Sequence, residues 1–223
     1  YEFEIIEITT KGDKILDRPL AKVGGKGLFI KEIEVALLEE RIDLAVHSLK
    51  DMPALLPQGL KIGSIPKRED YRDVLITKNG QSLDELEDGA KIGTSSLRRK
   101  AQLLSYRDDL QVVPIRGNIN TRLEKLETEN LDGIVLAAAG LHRMGWQQKV
   151  THYLNPAQFI PAVGQGALAI EIRDNDPSVE ELVMEINPKD TEETEMAARS
   201  ILREREGSCK IPTGALWLSD QDK

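Results

Sequence analysis

Cysteine, histidine and aromatic residues are scarce in this sequence, and each scarcity excludes a class of protein. The single cysteine, Cys209, excludes an intrachain disulfide and any metal site built from several cysteines. Three histidines without close spacing argue against a zinc site. Because aromatic residues make up only 4% of the chain, leucine, isoleucine, valine and alanine must fill the core.

The sequence also lacks a long apolar run and a recognisable leader. No run approaches the roughly 20 apolar residues that a membrane helix requires, and no signal peptide is visible. We therefore expect a cytoplasmic protein with no membrane partner. Because the sequence begins at Tyr1 rather than at a methionine, we also expect an N-terminal piece to be missing. A chain of 223 residues has room for two or three domains.

Acidic residues outnumber basic ones, and the formal net charge is −8. This balance argues against a nucleic-acid partner, since such binding needs a broad basic face. The positive charge is concentrated instead, first in Arg98, Arg99 and Lys100 and then in Arg116 and Arg122. Local arginine clusters in an acidic chain suit a small polyanionic ligand better than a duplex.

One short stretch combines a strand end with several ionisable groups. Residues 44–46 are apolar and predict a buried strand, residues 47–51 are mostly polar, and Pro53 stops further regular structure. Ligands of open α/β sheets bind outside the carboxyl ends of strands. Asp51 can transfer protons and Lys50 can attract an anionic substrate. A polar loop without function is the alternative.

A second stretch predicts an anion site at a helix N-terminus. The hydroxyl residues at 94–96 can cap a helix that runs from about residue 97 to Tyr106. A capped N-terminus with free N–H groups, followed by Arg98 and Arg99, favours a bound anion. An ordinary capped helix with solvated arginines is the alternative.

The same arrangement occurs again about twenty residues later. A strand predicted at 111–115 leads into Arg116 and Gly117, and a helix is predicted from about Thr121. Arg122 then lies in the first turn, where its charge opposes the helix dipole. Its position therefore suggests a purpose other than helix stability.

The remaining pattern predicts an α/β fold. Further strands are predicted at 2–8, 42–46, 60–65, 74–77, 90–93, 133–138, within 163–172 and around 214–218, and further helices at 28–40, 82–88 (one acidic turn), 139–146, 178–186 and about 191–206. The alternation from 74 to 146 predicts βαβ units and a mostly parallel sheet.

Three features have two interpretations each. The glycine-rich segment 22–27 is either a flexible surface loop or a lid over a site. Cys209 is either a small buried hydrophobe or an accessible thiol that can be modified. The glycines around Gln165 indicate either close backbone approach or a tight crossing of the chain.

Six motifs, taken in order, resemble the porphobilinogen deaminase (hydroxymethylbilane synthase) family. They are His47-Ser48-Leu49-Lys50-Asp51, Gly93-Thr94-Ser95-Ser96-Leu97-Arg98-Arg99, Arg116-Gly117-Asn118 with Thr121-Arg122, Ala138-Ala139-Gly140-Leu141, Val163-Gly164-Gln165-Gly166-Ala167 and Glu206-Gly207-Ser208-Cys209. The likeness runs from Tyr1 to about Leu218. Any one motif is weakly specific, but six in this order and spacing are highly specific.

The resemblance implies an enzyme that joins four porphobilinogen molecules into hydroxymethylbilane and releases ammonia at each step. Such enzymes work from a dipyrromethane cofactor that a thioether attaches to a cysteine. The resemblance also implies a monomer whose product passes to uroporphyrinogen III synthase. A non-catalytic binder of a small carboxylated ligand and an inactive fragment of the enzyme are the alternatives.

Residue roles follow from the same resemblance, motif by motif. Cys209 would attach the cofactor, Asp51 would be the catalytic carboxylate, and Lys50 would act beside it. The residues that would bind cofactor and substrate are Ser48, Thr94, Ser95, Ser96, Arg98, Arg99, Arg116, Gly117, Arg122, Gln165, Lys22 and Lys26. Several arginines are needed because every pyrrole brings two carboxylates. No metal ligand is expected.

The implied fold is α/β and resembles the type II periplasmic binding proteins. It would have two domains, a cleft between them and a small α+β third domain. Domain 1 would comprise residues 1–66 and 167–185, domain 2 would comprise 72–160, and the third domain would begin within 189–223. Because the family continues beyond both ends of this sequence, we expect a truncated chain.

Overall fold

The computed structural model of the protein describes residues 1–10, 30–204 and 213–217. Their contacts separate the described residues into two units. Among the described residues, unit 1 comprises 1–10, 30–67 and 167–204, and unit 2 comprises 68–166 and 213–217. The chain leaves unit 1 after Lys67 and returns to it at Ala167. The domain bounds expected from the sequence stay a prediction.

Both units are mixtures of helices and strands, which confirms the predicted α/β class. In chain order the described elements are α1 (Lys31–Leu38), β1 (Leu44–Ser48), β2 (Leu60–Ser64), β3 (Asp73–Thr77), β4 (Lys91–Gly93), α2 (Leu97–Tyr106), β5 (Gln111–Val113), α3 (Ile119–Thr128), β6 (Gly133–Ala137), α4 (Ala138–Arg143), β7 (His152–Tyr153), β8 (Leu168–Arg173), α5 (Pro177–Met184) and α6 (Lys189–Glu204). Short 3₁₀ turns span Leu49–Asp51 and Gln147–Lys149.

Unit 1 is built on a three-stranded antiparallel sheet in the order β1-β8-β2. All five residues of β1 pair with the central strand β8, and Ser48 at the end of β1 lies opposite Leu168 at the start of β8. Helix α1 buries Leu37, and Met196 of α6 packs against the buried Leu49 that follows β1. The residues after β1 are therefore attached to the core of unit 1.

Unit 2 is built on a five-stranded mixed sheet in the order β5-β4-β6-β3-β7. Strand β4 is parallel to both β5 and β6, as the alternation predicts. Strand β3 is antiparallel to β6 and β7, so the prediction of a mostly parallel sheet is wrong for this half. The reason lies in residues 82–88, which form turns instead of the predicted helical turn. Without a crossover helix, β3 and β4 run in opposite directions.

The sheet of unit 2 is buried on both faces. Leu75 and Val135 are opposite each other on one face, and Val74 and Leu136 are opposite each other on the other face. All five residues of β3 are buried. Phe159 is the aromatic residue among the fully buried members of these described clusters, and Trp146 packs half-buried against one of them. The core is therefore largely aliphatic, as the low aromatic content predicts.

Two predicted strands are not strands in the structure. Residues 1–10 have no regular element, and Tyr1 and Ile5 are each 94% exposed. Gly214 forms only one isolated bridge, with Ala162. Alternating apolar residues form a strand only where a partner strand completes the hydrogen-bonded ladder, and residues 1–10 have no such partner among the described residues.

Candidate active site

The turn after β1 presents Asp51 to solvent on a rigid support. Leu49 and Met52 are buried, whereas Lys50 is half-buried and Asp51 is exposed between them. The Leu49 amide donates to the Ala167 carbonyl at 3.1 Å, which ties the turn to the chain beside it. Ser48 at the end of β1 is exposed. The predicted residues Ser48, Lys50 and Asp51 therefore lie together on one turn.

Arg199 of α6 supports this turn, and the sequence analysis did not identify it. The guanidinium is 2% exposed and donates to the Leu49 carbonyl at 3.3 Å and to the Pro53 carbonyl at 2.6 Å. These two acceptors lie on either side of Asp51 in the chain. An arginine within an otherwise apolar helix face is the only sequence signal that this residue gives.

We expect the Arg199→Met variant to loosen the Asp51 turn. Two carbonyls lose a charged donor, and each such hydrogen bond contributes about 1.5–3 kcal/mol. Exchange of the Met52 amide, which donates to the Leu49 carbonyl, should become at least tenfold faster in hydrogen-exchange measurements. Arg41→Met is the matched control, because Arg41 is exposed and its one ion pair among the described residues is with Glu39. Equal exchange at Met52 in the two variants would show that Arg199 does not hold the turn.

On β1, the side chain of His47 points to the face opposite that of Ser48, and it belongs to a buried group of polar side chains. Its Nε2 is 2.9 Å from the Glu171 carboxylate on β8, and both side chains are buried. Glu34 of α1 is also buried. Burial raises the pKa of Glu34, and the charge of Glu171 raises it further, against the opposing effect of His47. This group is a structural feature of unit 1 beneath the exposed turn.

The raised pKa of Glu34 predicts a pH-dependent stability. The folded chain binds this proton more tightly than the unfolded chain, so stability falls as the pH rises above the ordinary value of about 4.3. Glu34→Gln should therefore raise the melting temperature at pH 7 by about 2 °C, since ~1 kcal/mol corresponds to about 2–4 °C, and the gain should vanish near pH 4. Calorimetry of this variant and of the exposed Glu39→Gln control checks the expectation. A gain that is the same at both pH values would contradict it.

In unit 2, the two predicted strand-to-helix loops lie side by side. Strands β4 and β5 are parallel, so their carboxyl ends reach the same edge of the sheet. The Thr94 amide donates to the Val113 carbonyl at 2.9 Å, and the Ser95 hydroxyl donates to the Ile115 carbonyl at 2.5 Å. Ser96 is the N-cap of α2, and its hydroxyl accepts from the Arg99 amide. Two capped helix N-termini thus meet at one edge.

The second loop turns sharply at Gly117. Its φ of +109° is in the left-handed region, and a Cβ there would collide with the Thr121 side chain. Asn118 caps α3 by accepting from the Thr121 amide at 2.9 Å. Arg122 Nε donates to the Gly117 carbonyl at 2.8 Å, and Arg116 is half-buried three residues after the end of β5. Arg116, Gly117 and Arg122 therefore form one compact loop.

The structure buries Arg98 and Arg99, so the alternative of solvated arginines on an ordinary capped helix is wrong. Each is 7% exposed, and both donate to Asp73 at the start of β3. Arg98 also donates to the Ile160 carbonyl at 2.6 Å, and Arg99 to the Val135 carbonyl at 3.0 Å. The sequence analysis did not identify Asp73 as their partner. Ligand binding by the two arginines stays a prediction.

Asp73 is ionised in this cluster in spite of its burial. Burial would raise its pKa, but the charges and hydrogen bonds of Arg99 and Arg98 outweigh this effect and hold the pKa well below the usual range. Burial also lowers the pKa of Arg98. Two guanidinium groups and one carboxylate leave a net charge of about +1 in a low-dielectric environment. A positive field therefore remains at this end of α2.

Gln165 connects the same cluster to the segments where the chain enters and leaves unit 2. Its side-chain amide donates to the Tyr71 carbonyl at 2.7 Å and to Asp73 at 2.8 Å. Gly166 has a φ of +93°, and a Cβ there would collide with the Glu69 carbonyl. Both interpretations of the glycines around Gln165 therefore apply: the backbones approach closely where the two chain segments pass each other.

The remaining predicted site residues, Lys22, Lys26 and Cys209, lie outside the described residues. In the described parts of the chain, no group of three or more histidine, cysteine, aspartate or glutamate side chains could hold a metal ion. Within the same parts, no helix has the length and apolar character needed to cross a bilayer.

The protein thus combines two α/β units, an exposed carboxylate turn and an arginine-rich sheet edge, and its sequence matches a known protein family. The family described as "Porphobilinogen deaminase, dipyromethane cofactor binding domain" matches residues 1–181. The chain therefore belongs to the porphobilinogen deaminase family.

Individual relatives agree with this family membership. The porphobilinogen deaminase of Bacillus subtilis is 59% identical over 100% of this chain and 72% of its own length. That of Syntrophobacter fumaroxidans is 57% identical over 95% of this chain and 68% of its own length. Among solved structures, a putative methionine-binding lipoprotein from Bacillus subtilis aligns at 12% identity and a TM-score of 0.47, covering 73% of this chain and 77% of that chain.

The donor groups of unit 2 fit the cofactor that the family description names. A dipyrromethane with two carboxylates on each ring needs several cationic and N–H donors. The edge formed by β4 and β5 supplies the arginines at 116 and 122, two capped helix N-termini and the net positive charge around Asp73. The chemistry of this donor set therefore matches a polycarboxylate ligand.

Proposed function

We propose that the protein is a hydroxymethylbilane synthase, which joins four porphobilinogen molecules head to tail and releases one ammonia at each addition. The observation that carries the proposal is Asp51, an exposed carboxylate on a turn anchored by two buried residues, in a chain of the porphobilinogen deaminase family. A non-catalytic binder would need no such rigidly held carboxylate beside a lysine.

Asp51 is the proposed catalytic carboxylate. Loss of ammonia from porphobilinogen leaves a cation on the substrate, and a nearby carboxylate stabilises that charge. The same group accepts the proton that is released when the new carbon–carbon bond forms. Lys50, half-buried on the same turn, offers a cation to a substrate carboxylate, and the exposed Ser48 hydroxyl offers a hydrogen bond.

The arginines of unit 2 are proposed to bind the acetate and propionate groups. Arg98, Arg99, Arg116 and Arg122 would supply positive charge and charge-assisted N–H donors to these carboxylates. Thr94, Ser95, Ser96 and the Gly117 backbone would add hydrogen bonds, and Gln165 would act through the cluster that it joins. The family resemblance adds Lys22 and Lys26 to this set of binding residues.

Cys209 is the proposed attachment point of the dipyrromethane. When bound, this group supplies the primer to which substrate units are added. A thioether keeps the primer attached through all four additions, and one unpaired cysteine is sufficient for that purpose. Cytoplasmic location, a monomeric state and transfer of the product to uroporphyrinogen III synthase belong to the same proposal, because they follow from family membership.

Intact-mass analysis of the full chain, combined with a porphobilinogen turnover assay, tests the proposal. We expect a covalent adduct of dipyrromethane mass and release of four ammonia molecules per hydroxymethylbilane. An unmodified protein that binds porphobilinogen without turnover would instead support a non-catalytic binder. An unmodified protein that neither binds nor converts it would support an inactive fragment.

A further inference from the structure

Asp73 is the best-satisfied buried charge in the described part of the protein, and the proposed reaction gives it no role. Its side chain has no exposed surface. One carboxylate oxygen accepts from Arg99 Nε at 3.0 Å, Arg99 Nη2 at 2.8 Å and Gln165 Nε2 at 2.8 Å. The other accepts from Arg98 Nη1 at 2.7 Å. A carboxylate has about four acceptor sites, and four donors occupy those of Asp73. Asp73 therefore has no acceptor site left for a ligand.

The two arginines use their donors differently. Arg99 donates from all three of its nitrogens, to Asp73 and to the Val135 carbonyl. Arg98 donates only from Nη1, to Asp73, Gln102 and the Ile160 carbonyl. Its Nε and Nη2 donate to no described residue, and these two atoms form the edge that binds a carboxylate with two parallel hydrogen bonds. Asp73 thus fixes Arg98 from one side and leaves the bidentate edge available.

Gln165 completes the cluster without changing its charge. Its amide nitrogen donates to Asp73 and to the Tyr71 carbonyl, and the side chain is 1% exposed. The cluster therefore contains two cations, one anion and one neutral donor. Its net charge of about +1 matches one ligand carboxylate, since a buried ion needs a partner of opposite charge.

We propose that Asp73, oriented by Gln165, is a positioning residue that holds Arg98 and Arg99 for one carboxylate of the cofactor or the growing chain. This inference rests on the proposed function. Asp73 itself touches no ligand and transfers no proton. It acts by keeping two adjacent guanidinium groups together and by limiting their combined charge to one.

The first test replaces Asp73 by asparagine in the full chain. The amide keeps the shape but removes the negative charge and turns an N–H₂ group toward the arginine donors. We expect at least a fivefold lower fraction of protein that carries the dipyrromethane adduct by intact mass. In the loaded fraction, we expect KM for porphobilinogen to rise at least tenfold, with a smaller change in kcat. Thr77→Val is the matched control, because Thr77 is a buried polar residue of the same strand that bonds elsewhere.

A second pair of variants separates charge from packing and does not require Asp73 to be replaced. Gln165→Met and Gln165→Glu both remove the donor to Asp73, but only glutamate adds a negative charge and cancels the net charge of the cluster. We expect Gln165→Glu to lower adduct loading at least threefold more than Gln165→Met does. This comparison decides the question if Asp73→Asn does not fold.

Several outcomes would overturn the inference. Equal loading and equal KM in Asp73→Asn and Thr77→Val would assign Asp73 to the fold alone. Equal loading of the two Gln165 variants would remove the charge argument. In both cases the proposed function would still hold, provided that the wild type carries the dipyrromethane adduct. A wild type without any adduct would instead overturn the proposed function, and this inference with it.

Discussion

The Asp51→Asn variant is expected to convert porphobilinogen about 10²–10³-fold more slowly than the wild type while it folds normally. Removal of one preorganised group that stabilises charge in a transition state typically costs this factor. Asparagine keeps the shape and the polarity of the side chain, but it can neither stabilise a cation by charge nor accept a proton. The loss should therefore appear in kcat, and KM should change much less.

The position of Asp51 makes this experiment easy to interpret. The side chain is exposed and makes no hydrogen bond to any described residue, while Leu49 and Met52 hold the turn. The melting temperature should therefore stay within about 1 °C of the wild type, because exposed substitutions usually change stability by less than ~0.5 kcal/mol. Asp43→Asn is a suitable control, since Asp43 is an exposed carboxylate that precedes the same strand. A turnover within threefold of wild type would remove Asp51 from the mechanism.

Replacement of Cys209 by serine is expected to abolish both the covalent adduct and turnover. An oxygen has nearly the geometry of the sulfur, but a hydroxyl is a far weaker nucleophile than a thiol at neutral pH, so the thioether cannot form. Intact mass should show a single unmodified species. Turnover should fall below detection, because no primer remains attached through successive additions.

The neighbouring residue provides the control for this variant. Ser208 directly precedes the cysteine, so Ser208→Gly alters the same segment and keeps the thiol. We expect this variant to carry the adduct as the wild type does. An adduct of unchanged mass on Cys209→Ser would place the attachment on another residue. A Ser208→Gly protein without adduct would mean that the segment, and not the thiol alone, controls attachment.

Features that depend on neighbouring residues were predictable from the sequence. Helix α2 begins directly after Ser96, one of its three candidate caps, because a short polar side chain bonds free N–H groups two or three residues later. Helix α3 was predicted from about Thr121 and begins two residues earlier, at Ile119, after the cap Asn118. The strand before the Asp51 turn was predicted from its apolar run at 42–46, and β1 indeed lies there but extends to Ser48. The prediction that it is buried is wrong, because Val46 is exposed and the strand is buried on one face only. The arginine-bearing loops also come together, since parallel strands bring their carboxyl ends to one edge.

Strand direction and strand pairing were less predictable. Strand β3 is antiparallel to β6, and residues 1–10 form no strand, although their local patterns resemble those of correctly predicted elements. A ladder depends on which distant segment is available as a partner, and the alternation of side chains is the same for both directions. Sequence periodicity alone therefore cannot choose between them.

The sequence was enough to single out Asp51 and the arginines, and their chemistry stays a prediction. Only long-range packing established what holds them. Arg98 pairs with Asp73 across 25 positions, and Arg199 reaches the Leu49 carbonyl across 150 positions. A buried charge must find a compensating group wherever the fold places one. Because spacing along the chain carries no information about that partner, the supports of the site became visible only in the folded structure.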